Sequence, residues 1–352
     1  MKVLVGMSGG VDSTATALML KEKGYEVEGV IMRIWENNPG VVMNTNKNSC
    51  FNPTGENIIE AKKAADEIKV KLNVIDCVEE YKKTVLENFK NEYLSGRTPN
   101  PCVWCNCLIK FGVLIDSAKN RGLVFDKFAT GHYARIAEEN GRFLLKKGID
   151  IKKDQSYFLY RLNQNQLSNI LMPLGDYTKD KIREYAKNKG LVAAEKSDSQ
   201  DFYSGDFNEL LNIKDKEGNI IDLDGNILGR HKGIWNYTIG QRKGIKISAK
   251  EALYVAELRE NTNEVVVGYK DSIKRNYLYA DNLNWIKFDK PEKSFEAQAK
   301  IRSSQAPKKA FVEVIDDNKI KVTFEEYQNS IAKGQSVVLY DNDYVIGGGI
   351  IL

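Results

Sequence analysis

Two stretches of this chain combine residue types at spacings that could do chemistry. One is a Gly-rich window, Ser8-Gly9-Gly10-Val11-Asp12-Ser13; the other packs Cys102, Cys105 and Cys107 into six residues. In the first, glycines let backbone N–H groups approach an anion closely, and a helix opening there adds the positive end of its dipole. Ser8 and Ser13 add hydroxyl donors, and Asp12 is of a type that holds magnesium. The spacing is neither G-x-G-x-x-G nor G-K-[ST], which excludes a dinucleotide loop and a Walker loop; an ordinary tight strand–helix turn is the alternative. In the second, Asn100-Pro101-Cys102-Val103-Trp104-Cys105-Asn106 places a CxxC in a Pro-punctuated loop just before a helix, whose N-terminus favours thiolates. Three uses fit it. Structural zinc requires four ligands, and the chain has a single CxxC and 2 His. Two buried structural cysteines would need no partner. Sulfur handling, through a persulfide or an iron–sulfur cluster, would use both thiols. Cys50 and Cys77 bring the total to five, an odd number that makes no disulfide framework.

The elements that must position these residues follow from periodicity. Strands are expected at Lys2–Gly6, Tyr25–Met32, Leu72–Cys77 and Phe125–Ile136, the last containing Thr130-Gly131-His132-Tyr133. Helices are expected at Thr14–Lys23, Glu56–Ile68, Glu79–Tyr93 and Leu108–Arg121, with a loop over Gly96–Cys107. This alternation predicts an α/β fold, a doubly wound parallel sheet covered on both faces, with ligands at the carboxyl ends of its strands. Beyond about residue 205, short apolar segments alternate with turns such as Asp224-Gly225-Asn226. From 276 onward, alternating strands (Lys309–Ile315, Ile320–Phe324, Ser336–Tyr340, Tyr344–Ile351) predict a small β-barrel. The expected domains are 1–205, a small central piece 206–275, and 276–352.

A length of 352 residues accommodates two or three domains. The 42% apolar and 28% charged balance, with 13 Phe, 17 Tyr and 4 Trp, excludes a disordered chain. No run approaches the ~20 apolar residues of a membrane span. The start, MKVLVGMSGG, lacks the apolar core of a signal peptide, so a cytoplasmic protein with reduced cysteines and no membrane partner is expected. A net charge of +4 permits a nucleic-acid partner without requiring one.

The window Ser8–Ser13 resembles the pyrophosphate loop of ATP pyrophosphatases, the PP-loop family, which implies cleavage of ATP to pyrophosphate and transfer of AMP to an oxygen. A thiol-bearing loop beside such a loop suggests replacement of an activated C–O by C–S. Over nearly its whole length the chain resembles the tRNA-specific 2-thiouridylase (MnmA/TrmU) family. The motifs are Gly6–Ser13, Thr98-Pro99-Asn100-Pro101 with Cys105-Asn106, Lys110-Phe111, Ala129–Ala134, Lys153–Phe158, Lys196 with Asp198-Ser199-Gln200, His231-Lys232-Gly233, and Tyr237–Gly244.

The resemblance implies an enzyme that uses ATP with magnesium to convert the wobble uridine of tRNA to 2-thiouridine. Its RNA partner would dock by the anticodon region and a sulfur-donor protein or sulfide would supply sulfur. By the same resemblance Gly6, Met7, Ser8, Gly9, Gly10, Val11, Asp12, Ser13, Met32 and Gly131 would contact ATP. Asn100, His132, Lys153, Asp154, Gln155, Arg302 and Gln335 would approach tRNA, and Cys105 would be the nucleophile. Two departures stand out. Cys102 replaces the family's usual Asp, and Tyr203 occupies the position of its second cysteine, with no cysteine after Cys107. Either Cys102 serves as the second thiol, or Cys102 and Cys105 ligate a [4Fe-4S] cluster with Cys50 or Cys107 as third ligand. Cys77 is expected in the core. A PP-loop amide-forming synthetase and a non-catalytic RNA-binding paralogue are the alternatives.

Overall fold

A computed structural model describes residues 1–35, 55–196, 208 and 212–352, in two compact units. Cys50, Asp198-Ser199-Gln200 and Tyr203 lie outside the described residues.

The first unit (1–85, 102–210 and 343–345) is built on a five-stranded parallel sheet. Its strands are β1 (Lys2–Gly6), β2 (Glu26–Arg33), β3 (Leu72–Asp76), β4 (Lys127–Ala129) and β7 (Ile170–Leu171). Their order is β3-β2-β1-β4-β7, so the chain reverses direction of winding between β1 and β4. In sheets of this kind the crevice at that reversal, outside the carboxyl ends, is where ligands bind. The sheet is buried because its strands are near-continuous apolar runs: Val3, Val5 and Ala129 are fully enclosed and pack with Ala17 and Leu20 of helix α1 (Val11–Glu22). Helix α2 (Glu56–Glu67) adds Ala64 and Ala65.

Two expectations about local structure are corrected. Phe125–Ile136 is not one strand: β4 ends at Ala129, and a separate β5 (Ala134–Glu139) begins an antiparallel hairpin with β6 (Arg142–Lys147), leaving Thr130–Tyr133 as a strand-end loop. Gly96–Cys107 is not a loop throughout. A helix spans Pro101–Asn120, so the CxxC lies within its first turns. Pro101 starts this helix rather than breaking it, because a first-turn residue has no intrahelical N–H bond to lose. From Cys105 to Val113 the helix is widened to π geometry. It is the one described helix long and apolar enough to cross a bilayer; Val103, Ile109, Phe111, Leu114 and Ala118 are instead packed inside the protein.

The second unit (86–101, 211–342 and 346–352) holds two β structures. A four-stranded sheet of order β10-β11-β8-β9 (β8 Gly218–Ile221, β9 Ile227–His231, β10 Leu253–Arg259, β11 Glu264–Tyr269) encloses Ile220, Val255, Val265 and Val267. Six further strands, β12 (Arg275–Trp285), β13 (Ser294–Lys300), β14 (Lys308–Asp316), β15 (Lys319–Gln328), β16 (Ser336–Asp341) and β17 (Tyr344–Ile351), run in the order β12-β15-β14-β13-β16-β17 and close where β12 pairs antiparallel with β17. That closure removes exposed edges, and the expected C-terminal barrel is present.

Candidate active site

The Gly-rich loop leaves the carboxyl end of β1, and its conformation is set by its own residues. Ser8 N donates to Ser13 Oγ at 3.1 Å, and Ser13 Oγ donates to Gly10 O at 3.2 Å. Gly9 sits at φ +79°, and a Cβ there would lie 2.7 Å from the carbonyl carbon of Glu60, so neither backbone angle nor space allows a side chain. Gly10 caps α1 without a side-chain hydrogen bond, which leaves first-turn amides for an anion. Met32 is partly buried on β2. The Gly9 carbonyl accepts a bond from Lys196 Nζ at 3.3 Å.

The loop after β4 meets this one. A Cβ on Gly131 would fall 2.8 Å from the Asp12 carbonyl carbon, and Tyr133 donates its hydroxyl proton to Asp12 Oδ1 at 2.8 Å. Lys179 Nζ is 2.7 Å from each Asp12 carboxylate oxygen. The carboxylate expected to hold magnesium is thus committed to an ammonium and a phenol, and does not fit a metal ligand in this arrangement. His132 and Thr130 Oγ1 are hydrogen-bonded at 2.8 Å. Burial, aided by Lys110, holds the His132 pKa well below its ordinary value, so the ring is neutral at pH 7.

The Cys105 helix reaches the same loop through Phe111, whose ring centre is 5.7 Å from that of His132. Gln166 braces the π-widened segment from outside the helix. Its Nε2 donates to Cys107 O at 2.8 Å and Phe111 O at 3.0 Å. Asn106 Nδ2 donates to Phe158 O at 3.2 Å, and the Arg161 guanidinium lies over the Trp104 ring at 4.5 Å. Cys102 and Cys105 are half-buried, whereas Cys77 and Cys107 are buried. Burial pushes the Cys77 thiol up to about 12 and the Cys107 thiol up to about 11, so both stay protonated. Among the described residues no three His, Cys, Asp or Glu side chains gather to hold a metal. Cys102, Cys105 and Cys107 form no such group, and Cys50 lies outside the described residues.

The residues expected at tRNA divide into two kinds. Lys153 is exposed. Asp154 and Gln155 instead hold backbone: Asp154 accepts from Gly148 N, Ser156 N and Ser156 Oγ, while Gln155 Oε1 accepts from Tyr133 N and Gln155 N donates to Tyr133 O. In the second unit, Arg302 Nη2 donates to Ile239 O at 2.9 Å, fixing the Tyr237–Gly244 turn. Gln335 Nε2 donates to Thr98 O at 3.2 Å and Pro99 O at 3.0 Å, fixing the segment that carries buried Asn100. His231 is structural, bonded to Gly233 N and Asn263 O.

Tyr133, Gln166 and Lys179 were not singled out as site residues from sequence. Asn163-x-x-Gln166 is a capping-box spacing, and that box forms, but the bonds of Gln166 to the cysteine helix have no local signature.

Residues 1–203 match the tRNA methyl transferase HUP domain family. Residues 210–269 match the tRNA methyl transferase PRC-barrel domain, and 275–351 the aminomethyltransferase beta-barrel domain. The chain is 49% identical over 356 residues to the tRNA-specific 2-thiouridylase MnmA of Endomicrobium trichonymphae, covering 100% of this chain and 99% of that one. It is 45% identical to the same-named protein of Clostridium botulinum strain Alaska E43, over 99% of this chain and 97% of the relative. With a nucleotide-type loop and a cysteine helix meeting at one strand-end loop, and relatives matched from end to end, the chain belongs to the tRNA-specific 2-thiouridylase MnmA family.

Proposed function

We propose that this protein is a cytoplasmic, ATP-dependent tRNA-uridine 2-sulfurtransferase acting on the wobble position. The observation that carries the reading is that the Thr130–Tyr133 loop touches both the Gly-rich loop, through Tyr133 and Asp12, and the Cys105 helix, through His132 and Phe111. Activation and sulfur transfer therefore share one crevice of one unit. ATP lies on Gly6–Ser13 with Met32 and Gly131 beside it; uracil O2 attacks the α-phosphate, pyrophosphate leaves, and C2 carries an AMP ester. First-turn amides of α1 stabilise the charge that develops on the phosphate.

Among the described residues the accessible cysteines are a pair, and a pair suffices for a persulfide route. A persulfide donor passes its outer sulfur to the Cys105 thiolate and leaves as a thiol, so that Cys105 carries a persulfide whose terminal sulfur attacks C2 and expels AMP. The Cys102 thiolate then attacks Cys105 Sγ. A Cys102–Cys105 disulfide forms, the bond between Cys105 and the transferred sulfur breaks, and its electron pair leaves with 2-thiouridine. A thiol reductant resets the pair. Residues three apart on a helix are neighbours, which suits this exchange. Asn100, His132 and Lys153 meet the RNA, while Asp154, Gln155, Arg302 and Gln335 act through the loops they hold. We assign 1–205 to the chemistry, and the central (206–275) and barrel (276–352) domains to holding tRNA.

The test supplies unmodified tRNA, ATP and a persulfide donor, and follows pyrophosphate release alongside nucleoside mass spectrometry. The expected result is tRNA-dependent pyrophosphate release with 2-thiouridine at the wobble position. RNA binding without pyrophosphate release would instead identify a non-catalytic paralogue. A Gly131→Ala variant should lose about 1–3 kcal/mol of stability through overpacking against Asp12, with ATP affinity falling as the two loops part; thermal melts and nucleotide titration measure both.

A further inference from the structure

We infer that Asp12 is the counter-ion of Lys179 rather than a metal ligand, and that Lys179 is a positioning residue of the ATP site, cancelling the carboxylate carried by the Gly-rich loop. The inference rests on the assignment of that loop to ATP. Lys179 is the first residue of the helix Lys179–Asn188, and its side chain is 7% exposed against 31% for Asp12. A lysine at a helix N-terminus faces the positive end of the dipole, and a buried ammonium also loses hydration; both costs require a close anion. Asp12 provides it with both oxygens at 2.7 Å, Tyr133 adds its hydroxyl to Oδ1, and the Tyr133 ring lies 5.7 Å from Nζ. Asp150 fixes the end of the helix, its Oδ2 accepting from Lys179 N at 2.9 Å.

The reason for such a pair lies in the loop's task. Asp12 is in the first turn of α1, beside amides that must attract a polyphosphate. An uncompensated carboxylate there would repel the ligand that the dipole and the amides attract. Lys179 removes that repulsion and, through the same bonds, fixes the turn against Tyr133. A magnesium ligand would have to give up these contacts and leave a buried ammonium unpaired.

The experiment measures affinity for a fluorescent ATP analogue with magnesium and again in EDTA, for the wild type, Lys179→Met and the double variant Asp12→Asn/Lys179→Met. The expected result is roughly 10–100-fold weaker binding by Lys179→Met in both conditions, with most of the loss recovered in the double variant. The inference is overturned if the double variant binds no better than Lys179→Met, or if the loss disappears in EDTA. Should Lys179→Met fail to fold, the double variant carries the test, since it leaves neither charge buried alone. It should then keep the wild-type ratio of affinities with and without magnesium, and a lost ratio identifies Asp12 as a metal ligand. Failure of the wild type to bind the analogue overturns the ATP assignment itself, and that outcome is separate from either result above.

Discussion

Cys105→Ser should leave tRNA-dependent pyrophosphate release in place and reduce 2-thiouridine to background. The hydroxyl fits the space of the thiol but cannot carry a sulfane sulfur, and the adenylating groups belong to other elements, the Gly-rich loop and α1. Cys102→Ser should behave differently. Without the second thiol the transferred sulfur stays linked to Cys105, so a covalent enzyme–tRNA adduct should accumulate and be released by added reductant. Denaturing gels with labelled tRNA separate the two variants. Normal thiolation by Cys105→Ser would remove that residue from the mechanism, and normal turnover by Cys102→Ser would assign the second thiol elsewhere. The contrast is built on burial: Cys102 and Cys105 are half-buried, while Cys107, buried and protonated to about 11, is a poor substitute for either.

Gln166→Met should be the most damaging change outside the loops themselves. Methionine keeps the length of the side chain but donates nothing, so Cys107 O and Phe111 O lose the amide that serves both. Each hydrogen bond lost from the helix costs about 0.5–1.5 kcal/mol. The helix can recover by collapsing the π widening toward α geometry. That removes one residue from the wide turn and rotates the Cys105 end by about 100° relative to the rest. The expected outcome is a melting temperature several degrees lower, a thiolation rate falling far more than ATP affinity, and slower alkylation of Cys105. Equal losses in ATP affinity and thiolation would mean general destabilisation instead of mispositioned sulfur.

What the sequence determines by itself is local. Glycines at 9 and 10 flanked by serines announce a phosphate-type loop because backbone freedom and hydroxyl donors are properties of those residues alone. Alternating strand and helix periods announce the parallel sheet, and short alternating segments after 276 the barrel. Pro101 shows the limit of such signals: proline marks a loop or a helix start equally well, and only the packed helix places the CxxC in its first turns. The remaining decisions belong to topology. Asp12 and Lys179 are 167 positions apart, and no pattern in either neighbourhood pairs them. They meet because the chain reverses between β1 and β4, which brings the loop after β4 and the helix beginning at Lys179 to the carboxyl end of β1. The same holds for Gln155, Arg302 and Gln335, polar side chains whose bonds go to backbone of other segments. A hydrogen bond to a distant carbonyl depends on where the fold puts that carbonyl, and residue type alone does not encode it.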